Sequence, residues 1–408
     1  MTQRHWQPFA WVCFAMCVGV MGTALASPLY PLYQARWDLL PSHITGIYVA
    51  YMLGALASLL FLGRLSDRFG FLPVLRTGLM LVTAGVLLSA LAWNVPVFVL
   101  SRVAIGIASG MITTSASVGL TQLSRSGSVQ HASAMTSFAM SLGFGLGPLV
   151  GGALAQWLPQ PLVTAYVPSV LLGVLAVYAL YQVQAQMALS VPTAGTGAGA
   201  GAGTFRLRDW LPRITLPLPA LRRPFFIASL GAFSTFGIFG LYASLAPSFM
   251  GQMLPWHGPA VSGISIAMIL FLSAGVQWLA RPIHTKTCIL WGLGLLAAGN
   301  LWLMATTYTN APLLFVLSVL TTAAGHGLTN LAGIAVVNKI ARPDNRSGLL
   351  STYLVVGYVG TTAPILGVGW LSDHIGLPLA IVSFCVFMAV LTSSLCWLAY
   401  RTPVMEAA

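Results

Sequence analysis

Acidic residues are nearly absent: the 408-residue chain holds six, and Asp, Glu, Lys and Arg together make up 6% of it. A soluble globular protein carries about 25% charged residues, so this chain has too few to cover a water-facing surface. That excludes a soluble enzyme and a nucleic-acid-binding domain. Cysteine is scarce as well. Cys13, Cys17, Cys288, Cys385 and Cys396 all lie in apolar runs without CxxC or metal-ligand spacing. They read as small hydrophobes, which excludes a disulfide-stapled module and a metal centre. No Walker loop occurs, so this chain by itself does not pump with ATP. No cofactor is expected.

Apolar residues are abundant instead: 57% of the chain is hydrophobic, with 42 glycines and a mean hydropathy of +0.87. A bilayer-spanning helix needs about 20 predominantly apolar residues. Twelve such stretches are expected, near 8–30, 43–63, 74–93, 96–120, 131–157, 162–183, 223–250, 259–279, 287–308, 312–337, 348–371 and 377–400. The expected fold is an all-α polytopic membrane protein in two six-helix halves, 1–183 and 223–408. Residues 184–222 read as a Gly/Ala/Pro-rich cytoplasmic linker. Its alternating glycines follow no strand and lack GxGxxG spacing, so they are not a nucleotide loop. With no extramembrane segment longer than about 40 residues, a non-transporting receptor on the same scaffold is disfavoured.

The cations fix an orientation. With the N-terminus inside, sixteen of the eighteen Lys and Arg residues fall in cytoplasmic segments; Arg36 lies outside and Arg102 within a span. The positive-inside rule predicts such an asymmetry, placing both termini in the cytoplasm, and it accounts for the net charge of +12 without a nucleic-acid partner. Arg4, an apolar stretch and Ala24-Leu25-Ala26 imitate a cleavable signal peptide. Cleavage would leave eleven spans, whereas the charge pattern demands an even number.

The halves resemble each other. Gly147-Pro148-Leu149-Val150-Gly151 aligns with Ala363-Pro364-Ile365-Leu366-Gly367 at an offset of 216, and Pro28 with Pro247 at an offset of 219. Parallel repeats of this kind place a substrate site near the midplane between them.

Between the second and third spans lies Gly63-Arg64-Leu65-Ser66-Asp67-Arg68-Phe69-Gly70-Phe71, followed by Arg76. In register this resembles the signature loop of the major facilitator superfamily, with Phe71 where the family usually has a basic residue. Leu100-Ser101-Arg102 with Gly106 and Gly110 is similar to the family's fourth-helix pattern. Gly143, Gly147-Pro148 and Gly151-Gly152 resemble the fifth-helix pattern of its proton-antiporting drug exporters. The resemblance implies a secondary transporter of the twelve-span exporter branch and gives Gly63, Asp67, Arg68, Gly70, Gly143, Gly147, Pro148, Gly151 and Gly152 gating or conformational roles. A purely mechanical reading of the fifth-helix glycines is close helix packing. The stretch Gly369 to Gly376 copies the loop's pattern, but it follows the eleventh span and reads as a helix end and turn.

The acids Asp38, Asp67, Asp209, Asp344, Asp373 and Glu406 all map to loops or tails, so none is expected at membrane depth. That disfavours export of cationic drugs. Arg102 lies about two turns inside the fourth span, where a charge costs about 2.5 kcal/mol or more near the centre. It reads either as an anchor for an anionic or polar substrate group or as a clamp on backbone carbonyls. His326, between Gly325 and Gly327, is the intramembrane group able to titrate near neutral pH. It reads either as a proton carrier or substrate contact, or as a neutral interhelical donor. Asn330 shares its helix face. Tyr30, Thr113, Ser117, Phe236, Tyr242 and Tyr353 complete a candidate cavity lining. The expected activity is proton-coupled export of a small neutral or anionic organic compound by a monomer in a bacterial inner membrane. Uptake of an anionic metabolite, by symport or uniport, is the alternative.

Overall fold

A computed structural model describes residues 6–63, 65–124, 129–190, 215–256, 258–342 and 345–402. Most of the linker, 191–214, lies outside this set. So do Arg64, His257 and the side chains of Asp67 and His131.

Among the described residues, twelve helices are long and apolar enough to cross a bilayer. In chain order they are α1 Pro8–Trp37, α2 Pro41–Leu62, α3 Phe71–Ala90, α4 Val95–Leu123, α5 Ala132–Trp157 and α6 Pro161–Ala185. The second half comprises α7 Pro219–Ser244, α8 Pro259–Leu279, α9 Thr285–Thr309, α10 Pro312–Ile340, α11 Gly348–Ile375 and α12 Leu377–Tyr400. Because helices alternate in direction, α1 begins and α12 ends on one face, here the terminal face. The short connections 38–40, 91–94 and 158–160 lie on the opposite, far face.

Proline at a first helical position sacrifices no helical hydrogen bond, and Pro41, Pro161, Pro259 and Pro312 each open a helix. Inside a span the same residue breaks one. α1 is helical over Trp6–Ala24, tightens to a 3-10 turn at Ser27–Leu29, and resumes over Tyr30–Trp37. The helix of α7 likewise ends at Ser244 and a new one runs over Ala246–Met253. Pro28 and Pro247, aligned by the repeat, sit at these two interruptions. α1 therefore extends farther than its apolar stretch, because the helix Tyr30–Trp37 after the break carries Gln34 and Arg36.

Packing repeats with a period of six helices. α1 packs on α4 and α5 as α7 does on α10 and α11; α2 packs on α4 as α8 does on α10. α3 packs on α4 and α6 as α9 does on α10 and α12. The halves meet chiefly through two pairs, α2 with α11 and α5 with α8, with smaller contacts from the broken end of α1 to α7, α8 and the helix Ala246–Met253.

Candidate functional site: a buried arginine and the seam between the halves

The interruption of α1 leaves carbonyls in its last turn without helical partners, as at any helix end. One of them is taken by Arg102. This side chain is 1% exposed, and its Nη2 donates to the Thr23 carbonyl oxygen over 2.8 Å. A cation at a helix C-terminus also meets the favourable end of the helix dipole. The guanidinium lies over the ring of Tyr51 from α2, 4.9 Å from its centroid. Its Nε and Nη1 have no partner of full hydrogen-bond geometry among the described residues, and the fully buried hydroxyl of Tyr30 lies beside the guanidinium, within hydrogen-bonding and electrostatic reach of it. The structure thus makes Arg102 a carbonyl clamp and also leaves it with spare donors. Both sequence readings of this residue keep a physical basis.

Tyr51 leads to the seam. Tyr48 and Tyr51 each lie within electrostatic reach of Tyr30 and Tyr358, joining α1, α2 and α11. The hydroxyls of Tyr48 and Thr361 are 3.2 Å apart across the halves. Phe236 stands edge-on to Tyr358, with centroids 5.8 Å apart. Tyr48, Tyr51 and Tyr358 escaped the sequence reading, since a lone tyrosine in an apolar span carries no sign of which way it faces. The spacing of Tyr48 and Tyr51, three apart on one helix face, was the available signal.

His326 occupies the second half. Its Nδ1 is 2.8 Å from the Ser273 hydroxyl of α8, and Gln277 Nε2 donates to that same oxygen over 3.3 Å. Phe239 lies beside the imidazole. The flanking glycines serve helix approach: a Cβ on Gly325 would crowd Gly292 and Leu296 of α9, and one on Gly327 would crowd the Ser273 backbone. Asn330, one turn on, is half-buried.

The remaining candidates make contacts of their own. Thr113 and Ser117 donate to carbonyls of their own helix, those of Ser109 and Thr113. Tyr242 donates to Ser318 of α10, and Tyr353 lies against Gly333 of α10, so both pack inside the second half. Ser273 and Gln277, polar and four apart in an apolar span, mark a polar helix face that is visible in the sequence, although the sequence does not show that this face meets His326.

The glycines of α5 form a ladder on α1. Each added Cβ would strike a carbonyl: Cys17 for Gly143, Met21 for Gly147 and Leu25 for Gly151. The opposite face meets the other half, with Gly152 against the Pro259 carbonyl and Gly263 of α8 against that of Pro148. Gly63 lies at the end of a π-turn, Ser58–Leu62, that finishes α2. Gly70 has φ of 78°, and Arg68 lies over the ring of Phe69.

At the far face the halves are joined. Ser248 donates to Gln34 Oε1, and the Ser42 N–H to Asp373 Oδ1 over 3.2 Å. A Cβ on Gly369 would overlap the Thr45 hydroxyl.

Known proteins share this architecture. The model of the Major Facilitator Superfamily matches residues 12–363. A multidrug efflux protein of Bacillus subtilis (strain 168), YfmO, is 28% identical over 145 residues, 36% of each chain. The quinolone resistance protein NorA of Staphylococcus aureus (strain MRSA252) is 31% identical over 140 residues, 33% of this chain and 35% of its own. The chain thus matches about a third of the length of these relatives. Among solved structures, a bacterial homologue of the human lysosomal transporter Spinster, inward-facing and unoccupied, superposes with a TM-score of 0.72 at 14% identity. That match covers 100% of this chain and 99% of the other.

Proposed function

Because the chain belongs to the major facilitator superfamily, we propose that this transporter exports a small neutral or anionic organic compound by alternating access, driven by the proton gradient. The observation that carries the substrate class is the Arg102 cluster. A fully buried guanidinium with two nitrogens left without a full hydrogen bond, beside the buried Tyr30 hydroxyl, has N–H donors to offer an anion. A planar guanidinium matches a carboxylate or phosphate through paired N–H donors. No described acid lies in the middle of a span: Asp38 ends the α1 helix, Asp67 lies in the short helix Leu65–Phe69 between α2 and α3, and Asp373 lies in the last turn of α11 at the far face.

Export is favoured by the partial likeness to YfmO and NorA, both named for efflux or drug resistance. The proton carrier in this reading is His326, a titratable group buried in α10 whose Nδ1 is fixed by Ser273. The sixteen cations of the terminal-side segments support a cytoplasmic position for that face and for both termini.

Proton movement in inverted membrane vesicles tests the reading. A pH-sensitive dye follows respiration-driven acidification while cationic, neutral and anionic compounds are added. Proton release evoked by anionic or neutral compounds, and lost in His326→Ala, is the expected result. Release by cations alone overturns the substrate class. Release that survives in His326→Ala overturns the carrier.

A further inference from the structure

On sequence alone, Gly369-Trp370-Leu371-Ser372-Asp373-His374-Ile375-Gly376 is a helix end and a turn. The structure gives it a second half to touch. The stretch repeats, position for position, the G-x-L-S-D-x-x-G pattern of Gly63 to Gly70. The two closing glycines share one backbone conformation, φ 78° and ψ 157° at Gly70, φ 86° and ψ 152° at Gly376. Glycine alone occupies that region readily. The pattern thus follows α2 on the terminal face and closes α11 on the far face.

α2 and α11 run antiparallel and pack against each other, so the C-terminal end of α11 lies beside the N-terminal end of α2. Asp373, half-buried, accepts the N–H of Ser42 there. Ser42 is the second residue of the helix Pro41–Ala57, and its N–H has no partner within that helix. The same helix end favours a negative charge. One turn earlier on α11, Gly369 lets the helices approach until its missing Cβ would overlap Thr45 and come within 3.0 Å of the Ser42 Cα. A carboxylate, a helix N-terminus and a glycine contact thus converge across the seam, in a chain with six acids in all.

We propose that Asp373 is a conformational latch, whose carboxylate on the first turn of α2 holds the far ends of the halves together. Opening the far face parts Asp373 from Ser42, so the contact stabilises the far-closed state alone. Its loss moves the balance toward the far-open state. A hydrogen bond to a charged group corresponds to roughly tenfold or more in that balance, and a neutral acceptor at the same place to about threefold less. The inference rests on alternating access and is independent of cargo, direction and coupling ion.

Hydrogen–deuterium exchange of the full chain in lipid nanodiscs tests it. In Asp373→Ala, uptake is expected to rise in peptides covering 40–47 and 369–377. It is expected to fall at the terminal-face ends of the same helices, covering 58–63 and 346–352. Asp373→Asn, which keeps shape and a neutral acceptor, is expected to give the same pattern at smaller amplitude. Gly369→Ala reaches the same state by wedging the helices apart, and it carries the test if Asp373→Ala does not fold. Faster exchange confined to 40–43, without the opposite change at the terminal face, would make the contact a local helix cap and overturn the proposal. Unchanged exchange in all three variants overturns it as well.

Discussion

A guanidinium has five N–H donors, and Arg102 places one on the Thr23 carbonyl while its flat face lies over Tyr51. Two roles that sequence left equal both keep a basis in these contacts, and substitution can separate them. Removing the side chain deletes a charge-assisted hydrogen bond and a cation–π contact, so Arg102→Ala is expected to lower stability by about 2 kcal/mol. A reduced unfolding midpoint of the purified protein checks this. Arg102→Lys keeps a donor for the carbonyl but lacks the planar fork and the stacking face. It is expected to keep most of the midpoint while losing transport of an anionic compound. A lysine variant that transports normally would reduce Arg102 to a clamp.

At the scale of elements, the glycine-rich face of α5 separates packing from conformational change. Gly147 meets the Met21 carbonyl of α1 within its own half, whereas Gly152 meets α8 of the other. Gly147→Val forces a side chain into backbone that cannot yield, which costs about 1–3 kcal/mol or more. It is expected to lower the unfolding midpoint. Gly152→Ala strains a contact between halves, so its main expected effect is on transport rate, with a smaller change in midpoint. Equal midpoint losses in the two variants would contradict this division. The pattern of small residues was legible in the sequence because it repeats every four residues along one helix. Which helix lies opposite was not legible, since α1 and α8 are both apolar and equally suitable partners by composition.

For the whole molecule, the proposed orientation rests on charge and the architecture on the period-six packing. A green fluorescent protein fused after Ala408 is expected to fluoresce, and alkaline phosphatase fused after Asn310 to be active. The reverse pattern would invert the topology. Both fusions sample opposite faces of the same bundle, so together they test the positive-inside reading across the second half.

Membrane class, helix number and the kinship of the halves were written in the sequence because the bilayer acts on each span separately. About thirty ångströms of hydrocarbon require about 20 apolar residues in a row, and the interface sorts flanking cations one loop at a time. Those constraints are local, and local constraints show in a linear string. Pairings across the fold are a different matter. The Thr23 carbonyl lies 79 residues from Arg102, Ser273 lies 53 from His326, and Ser42 lies 331 from Asp373. Nothing in the composition of one helix selects such partners, because lipid and neighbouring helix are equally apolar and shape decides the contact. Tertiary structure therefore decided which helix each of these polar residues meets, and that a helix end with no apparent role bridges the two halves.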